Sequence, residues 1–286
     1  MNQMIINGLI LGMSYALIAL GLTLIFGIMN IVNFAHGQMC MLGSFIMYYL
    51  YGVFHWNFFI TLIICALILA LLGAVFERFF FRRFLRFSSR EENSMLLAIG
   101  TALLLENIAL ISFGEKHRGI PPLNDYIFYI AGIYIPANRI IIFAVSIVSI
   151  IALLLFIQRT RYGLAMRALA QDKEVTFLMG VDINKISMMG FALGASLAGV
   201  AGGLLALIFP IFSGSGGSLS IKAFIMIMIG GAGVVPGAIV GAFILGMLES
   251  IGYGLIPGSA TYLFIFIAAI LLLIIRPLGI MGKPGY

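Results

Sequence analysis

The amino-acid sequence predicts an all-α integral membrane protein with about eight transmembrane helices. Of its 286 residues, 63% are hydrophobic and only 9% are charged, whereas a typical soluble domain has about 45 to 50% apolar and about 25% charged residues. Asp, Glu, Lys and Arg are absent from residues 1–76, 186–221 and 250–275. Each of these stretches exceeds the roughly 18 apolar residues that a spanning helix requires, so we expect most side chains to face lipid or protein.

The apolar sequence divides into eight blocks that belong to a single transmembrane domain, residues 1–286. The blocks are residues 4–27, 31–51, 56–76, 94–113, 140–157, 186–209, 223–255 and 261–275. The seventh block is interrupted by a glycine-rich run that contains Gly230, Gly231 and Gly233. About ten helical residues precede it and rise about 15 Å, half of a hydrocarbon core. We therefore expect a broken helix here, and the sequence leaves open whether residues 222–255 are re-entrant or cross twice.

A comparable interruption lies in the first half of the chain, at residues 27–37. Three polar side chains stand there between apolar runs, namely Asn30, Asn33 and His36, and Gln38 follows directly. Polar groups at membrane depth must face protein or water. Breaks in corresponding places of two halves indicate an inverted repeat and a translocation path. We expect the four polar residues and the backbone groups freed at the glycine-rich break to border that path, although His36 equally suits a bond to a neighbouring helix.

The basic residues are concentrated on one predicted side of the membrane. Residues 77–93 contain five Arg, and residues 159–185 contain three Arg and two Lys. With Arg276 and Lys283, 12 of the 16 basic residues fall on this side, which the positive-inside rule identifies as the cytoplasm. Counting crossings from these loops predicts an N-terminus outside and a C-terminus inside. Because the basic residues lie beside spans, the net charge of +6 indicates membrane lipid rather than nucleic acid as the partner.

The sequence contains no enzyme motif. A phosphate-binding loop, an H-E-x-x-H helix, a paired-cysteine motif and a G-x-S-x-G elbow are all absent, so we expect no catalytic residue, metal or cofactor in this chain. Glu106 and Glu249 are isolated acids in apolar blocks. They leave open an ion-coupled secondary transporter with one of them as proton carrier. The glycine-rich breaks leave open a further alternative, a passive channel for a small solute such as urea or an amide.

Residues 159–185 are expected to form a cytoplasmic loop with a short amphipathic helix. The apolar positions are Leu164, Ala168, Val175, Leu178 and Met179, and they alternate with Arg167, Asp172, Lys173 and Glu174. Such a helix lies on the membrane surface or docks onto a partner. We expect Gly180 to end it and Asp182 or Asn184 to cap the helix that follows.

Three parts of the sequence resemble a known family. They are residues 15–27 (YALIALGLTLIFG) with 33–37 (NFAHG), residues 160–168 (TRYGLAMRA) with 180–182 (GVD), and residues 192–202 (ALGASLAGVAG) with 222–224 (KAF) and 230–231 (GG). In this order they are similar to permeases of branched-chain amino-acid ABC importers, and most similar to the shorter of the two permease subunits.

The resemblance implies a permease that moves branched-chain or other hydrophobic amino acids across the prokaryotic inner membrane by alternating access. It implies a second permease subunit, two ATPase subunits that bind the ATP, and an extracytoplasmic substrate-binding protein. It also places a coupling helix within residues 166–180. The expected ATPase-coupling residues are Arg167, Asp172, Glu174, Gly180 and Asp182. The substrate stays open, because related permeases carry urea, short amides or other amino acids.

Overall fold

A computed structural model describes residues 1–87, 91–130, 132–255 and 260–282 of the chain. The elements are α1 (Asn2–Met29), α2 (His36–Met47), α3 (Phe58–Phe76), α4 (Arg82–Phe87), α5 (Glu91–Phe113), β1 (Ile127–Ile130), β2 (Ile133–Pro136), α6 (Ala137–Arg159), α7 (Arg161–Gln171), α8 (Lys173–Leu178), α9 (Ile183–Leu205), α10 (Ser215–Gly230), α11 (Val235–Leu255) and α12 (Ala260–Ile275). Two π-helical turns extend this order: Tyr48–Val53 continues α2, and Glu77–Phe81 joins α3 to α4.

The helices have the lengths and composition of membrane spans. Among the described residues, six helices are at least 18 residues long and apolar enough to cross a bilayer, and α10 and α12 are apolar but shorter. The predicted class, an all-α integral membrane protein, is confirmed. The number of about eight crossings stays a prediction, as does the division into one transmembrane domain with a coupling loop.

The structure differs from the sequence prediction at the start of α10 and in the segment before α6. α10 begins at Ser215 rather than near residue 223, because the Gly and Ser residues of its first turns hide the helix from a hydropathy pattern. Its 16 residues rise about 24 Å, so the prediction of a half-length helix is wrong. β1 and β2 form an antiparallel hairpin that pairs Ile127 with Pro136, which the apolar periodicity does not predict.

Hydrogen bonds between distant segments define two ends of the helix bundle. Gln3 in the first turn of α1 bonds both the N–H and the carbonyl oxygen of Tyr134 in β2, at 2.9 Å each. We call this the hairpin end. At the opposite end, Arg82 of α4 donates to the carbonyl oxygen of Asn184 in the first turn of α9 (2.9 Å). We call this the α7–α8 end.

α10 and α11 form an out-and-back pair. Ser250 of α11 donates to the carbonyl oxygen of Met4 at the hairpin end (2.7 Å). Gly233, between the two helices, lies against Phe26 and Gly27 near the other end of α1. The pair therefore turns toward the α7–α8 end and returns to the hairpin end, as the parity of the predicted crossings requires.

α1 is the centre of the bundle. Its residues 14–25 are all buried, and α9 and α11 pack along it. Gly21 of α1 faces Gly194 of α9: a Cβ added at Gly21 would stand 2.7 Å from the carbonyl oxygen of Gly194, and the reverse distance would be 2.6 Å. The missing side chains therefore allow the two helix backbones to touch, which is typical of membrane helix pairs.

Gly21→Ala is expected to destabilise the folded protein by about 1 to 3 kcal/mol, because the added methyl group overpacks this contact. The matched control is Gly100→Ala in α5, where an added Cβ meets nothing within 4 Å. The control should be neutral or stabilising by up to about 1 kcal/mol, owing to the higher helix propensity of Ala. Thermal unfolding in detergent, followed by circular dichroism, measures both; equal effects would show that the contact does not hold the helices together.

Candidate functional site

The first predicted break lies between α1 and α2. α1 ends at Asn30, whose backbone is left-handed (φ 53°), a conformation in which Asn is enriched. Residues 31–35 then run back into the bundle, so that His36 Nε2 lies 3.0 Å from the carbonyl oxygen of Ile18, midway along α1. α2 therefore begins inside the bundle rather than at its surface.

The N-terminal ends of α2 and α10 meet at this depth. The N–H of Gly37 donates to Ser220 Oγ (3.0 Å), and the Ser220 hydroxyl donates to the carbonyl oxygen of Phe34 (2.7 Å). The rings of Phe34 and Phe224 lie 4.5 Å apart between centroids. α2 runs from here to the hairpin end and α10 to the α7–α8 end. Two helices of opposite direction starting side by side are expected of an inverted repeat with broken helices, although the repeat itself stays a prediction.

The polar side chains of the first break are buried among these helices. Asn33, His36 and Gln38 are each at most 1% exposed. Asn33 Oδ1 accepts from the N–H of Ala35 (3.1 Å), and Gln38 Nε2 donates to Glu106 Oε2 of α5 (3.0 Å). Within the described part of the chain, Asn33 Nδ2, His36 Nδ1 and Gln38 Oε1 have no hydrogen-bond partner. Each such atom costs about 1 to 3 kcal/mol, so the cluster singles out this break as a candidate site.

The second predicted break occurs in the structure at residues 231–234, between α10 and α11, and is packed against the C-terminal segment of the chain. Gly231 ends α10 with φ 110°, a conformation that only Gly adopts readily. The N–H groups of Ile280 and Met281 donate to the carbonyl oxygens of Ile229 (2.8 Å) and Gly230 (3.0 Å). Two backbone groups that the sequence analysis expects to be freed by the break are therefore bonded within the chain.

Both breaks lie around the C-terminal half of α1. The first begins where α1 ends, and the second contacts Phe26 and Gly27 through Gly233. The structure thus gathers the residues of the predicted path along one helix. These residues are Asn30, Asn33, His36, Gln38, Gly230, Gly231 and Gly233. Their role in a path stays a prediction.

The predicted amphipathic segment forms two short helices, α7 and α8, at the end of the bundle that bears their name. Asp172 separates the helices and caps α8 by accepting from two backbone N–H groups, at 2.8 and 2.9 Å. Gly180 follows with a left-handed backbone (φ 79°), and Asp182 caps α9 by accepting from the N–H of Lys185 (3.1 Å). The expected helix end and the Asp182 cap are confirmed, whereas the single expected helix is two.

Five large apolar side chains of this segment face outward. The exposed apolar residues are Leu164, Val175, Phe177, Leu178 and Met179. Leu178 is 81% exposed, and the charged Arg167 and Glu174 are exposed beside the apolar residues. Met166 and Leu169 pack inward and hold α7 on the bundle. An exposed apolar cluster of this kind marks a surface for contact with protein or lipid.

A buried ion pair joins α1, α10 and α11 inside the bundle. Lys222 Nζ lies 2.6 Å from Glu249 Oε1, and the Tyr15 hydroxyl donates to Glu249 Oε2 (2.7 Å). Lys222 also donates to the Tyr15 hydroxyl oxygen (2.8 Å). Glu249 is fully buried, and each of its carboxylate oxygens has a partner.

In the sequence, Glu249 is an isolated acid and Lys222 belongs to the KAF segment of the resemblance, and no local pattern pairs them. They stand 27 residues apart, on helices joined by a break, so helical periodicity gives no sign of contact. A signal was nevertheless present, because Lys222 and Glu249 are the only charged residues within residues 186–275. Charges within membrane spans usually pair with one another.

A cavity of about 230 Å³ lies beside Lys222, on the side of the hairpin end. It is lined by the α9–α10 connection and by residues of α1, α2, α9, α10, α11 and α12. Its aromatic and hydroxyl-bearing lining includes Phe209, Phe212, Tyr253, Tyr262, Ser215 and Ser218. The connection is tied to the segment that leads from α5 to β1, since Ile211 exchanges two backbone hydrogen bonds with Arg118 (2.8 and 2.9 Å).

The chain is similar to known transport proteins over its whole length. Residues 4–275 match the family described as branched-chain amino acid transport system, permease component. The chain is 34% identical to the high-affinity branched-chain amino acid transport system permease protein BraD of Pseudomonas aeruginosa, over 99% of this chain and 96% of BraD. It is 30% and 29% identical to the LivH proteins of Salmonella typhimurium and Escherichia coli, which carry the same description, with the same coverage. No solved structure matches.

The family match covers the described helices from α1 to α12, and the relatives align from end to end. The resemblance found in the sequence is thereby confirmed. This chain belongs to the family of branched-chain amino acid transport permease components, which are transport proteins and not enzymes.

Proposed function

We propose that this chain is the permease subunit of an ABC importer and moves branched-chain or other hydrophobic amino acids across the prokaryotic inner membrane. The observation that carries the proposal is the end-to-end similarity to permeases of high-affinity branched-chain amino acid transport systems. The two broken segments around α1 support it, because transporters commonly bind their cargo where helices are interrupted.

In this proposal the chain works with a second permease subunit, two ATPase subunits that bind ATP, and an extracytoplasmic substrate-binding protein. The exposed apolar cluster on α7 and α8 is the surface on which an ATPase docks. Arg167 and Glu174 supply charge at this surface, while Asp172, Gly180 and Asp182 fix its shape through the two caps and the turn between them.

α7 and α8 are connected directly to the helices of the bundle, so that a movement of α7 and α8 is transmitted to them. The turn at Gly180 leads into α9, and α9 contacts α1 at Gly21. Arg82, which is paired with Glu77 at 2.5 Å, ties the start of α9 to α4. A displacement of the docking surface therefore moves α9, on which α1, α2 and α3 pack. In this proposal the helices shift between an outward-open and an inward-open arrangement, which is alternating access.

Arg167→Glu and Leu178→Ser are each expected to reduce capture of the ATPase subunit by the permease about tenfold, since they reverse a charge and remove apolar contact area at the docking surface. Lys116→Glu is the matched charge reversal, at an exposed position near the hairpin end, and should leave capture unchanged. Pull-down of the ATPase from membranes with equal amounts of inserted permease gives the answer. If both docking variants captured as much ATPase as the unchanged protein, the ATPase would not dock on this surface.

The α7–α8 end faces the cytoplasm in this proposal, with the N-terminus outside and the C-terminus inside. The support is the concentration of Arg and Lys in residues 77–93 and 159–185 and the positive-inside rule. Arg90, which contributes to this concentration, and Lys283, near the C-terminus, lie outside the described residues.

Single cysteines test the orientation, because the native Cys40 and Cys65 are buried. Asp125→Cys and Gln171→Cys place thiols at exposed positions toward the two ends of the bundle. A membrane-impermeant maleimide should label Asp125→Cys in intact cells and Gln171→Cys only after permeabilisation. Labelling of both from outside, or of Gln171→Cys alone, contradicts the orientation.

The polar residues of the first break and the glycines of the second border the path in this proposal. Asn33→Leu removes the amide whose Nδ2 has no partner among the described residues, and should lower ATP-driven leucine uptake up to about tenfold, the equivalent of one hydrogen bond of about 1.4 kcal/mol. Thr61→Val in α3 is the control, since its buried hydroxyl also has no partner there but lies away from the breaks. Uptake is measured in vesicles that contain all subunits; equal rates for both variants would exclude Asn33 from the path.

A further inference from the structure

Lys222 and Glu249 form an interior feature that the predicted path does not include. Placing an ion pair at membrane depth is costly because both ions lose their hydration, and such a pair is weak evidence for stability. The Glu249 side chain is 0% exposed and the Lys222 side chain 15%. The carboxylate of the pair is therefore buried, whereas the ammonium group is partly accessible from the cavity.

The Lys222 ammonium group has one N–H donor that no described residue accepts from. It carries three N–H donors, of which Glu249 Oε1 and the Tyr15 hydroxyl take two (2.6 and 2.8 Å). No third partner of Nζ occurs among the residues that the structure describes, and Lys222 lines the cavity. The rings of Tyr15, Phe209 and Tyr262 surround Nζ at 5.3 to 5.9 Å from their centroids. These rings limit access of water, so an anion that hydrogen-bonds Nζ is weakly screened from it, while Glu249 at 2.6 Å offsets part of the positive charge.

The rest of the cavity wall suits the remaining parts of an amino acid. α10 starts at Ser215 on this wall, and the positive end of its helix dipole adds to the attraction for an anion. Leu205, Ile211 and Leu219 give an apolar surface for an aliphatic side chain. At about 230 Å³ the cavity is smaller than typical sites for drug-sized ligands, which is consistent with a small cargo.

We propose that this cavity binds the carboxylate of the cargo, with Lys222 Nζ as the donor and with Glu249 and Tyr15 as positioning residues that hold the ammonium group in place. The inference rests on the proposed function and narrows it. Solutes that carry a carboxylate are bound, whereas urea and short amides lack the anion that Lys222 requires. The cargo meets this site on the hairpin side of the two breaks, before it reaches Asn33 and His36.

A purely structural ion pair is the competing explanation, and the choice of variants separates the two. Lys222→Met alone leaves Glu249 buried without its counter-ion, which is destabilising in itself. The double variant Lys222→Met/Glu249→Gln removes both charges, and the amide oxygen that replaces the carboxylate can still accept from the Tyr15 hydroxyl. Thermal unfolding in detergent confirms that the double variant is folded. Lys222→Arg keeps the positive charge and has donors to spare.

Protection of a cavity thiol reports binding without requiring transport. Ser218→Cys places a thiol at an exposed position of the cavity wall, to be modified by a methanethiosulfonate reagent in vesicles that contain the complete transporter. The probes are millimolar L-leucine and L-leucinamide, which differ in the carboxylate. L-leucine should slow modification about tenfold and L-leucinamide should not. The double variant should lose this protection, Lys222→Arg should keep most of it, and the control Lys116→Met should keep all of it.

Equal protection by L-leucinamide, protection that survives in the double variant, or no protection by L-leucine in the Ser218→Cys protein each overturns the site. ATP-driven leucine uptake is measured in parallel with the unmodified protein. Protection without ATP-driven uptake would refute the proposed function and leave the site standing. ATP-driven uptake without protection would refute the site alone.

Discussion

Every backbone polar group and every charge in the interior of this protein must find its partner within the protein, because lipid offers none. The structure meets this constraint with long-range bonds rather than with unbroken helices alone. At the start of α2, the N–H of Gly37 donates to Ser220. At the end of α10, two carbonyl oxygens accept from the N–H groups of Ile280 and Met281, and the Glu249 carboxylate accepts from Lys222 and Tyr15. Each of these bonds joins segments that are far apart in the sequence.

The same constraint explains where chemistry is concentrated. α1 is central and buried, and the two interruptions lie along it, so the polar groups they expose are kept away from lipid. Small residues such as Gly21 and Gly194 let the surrounding helices close on α1. The same helices therefore border two chemically distinct environments. The first break presents amides and an imidazole, whereas the Lys222 cavity presents an ammonium ion among aromatic rings.

The sequence predicted what depends on local composition. The membrane class follows from the scarcity of charge, the two breaks follow from clustered glycine and asparagine, and the Asp182 cap follows from its place before an apolar run. The start of α10 was missed because glycine and serine obscure its first turns. The Lys222–Glu249 pair and the bonds from Ile280 and Met281 depend on contacts between distant segments, which periodicity does not report. The charge-poor stretch around Lys222 and Glu249 did contain the information needed to pair them.

The bonds from Ile280 and Met281 to the end of α10 also set an order of assembly. Ribosomes make α10 and α11 before these residues exist, so the break between the two helices first enters the membrane with the carbonyl oxygens of Ile229 and Gly230 lacking their final partners. The turn is completed only when synthesis has reached Ile280 and Met281. Closure of this end therefore follows the synthesis of α10 and α11, and a truncation before Ile280 removes both donors that it uses.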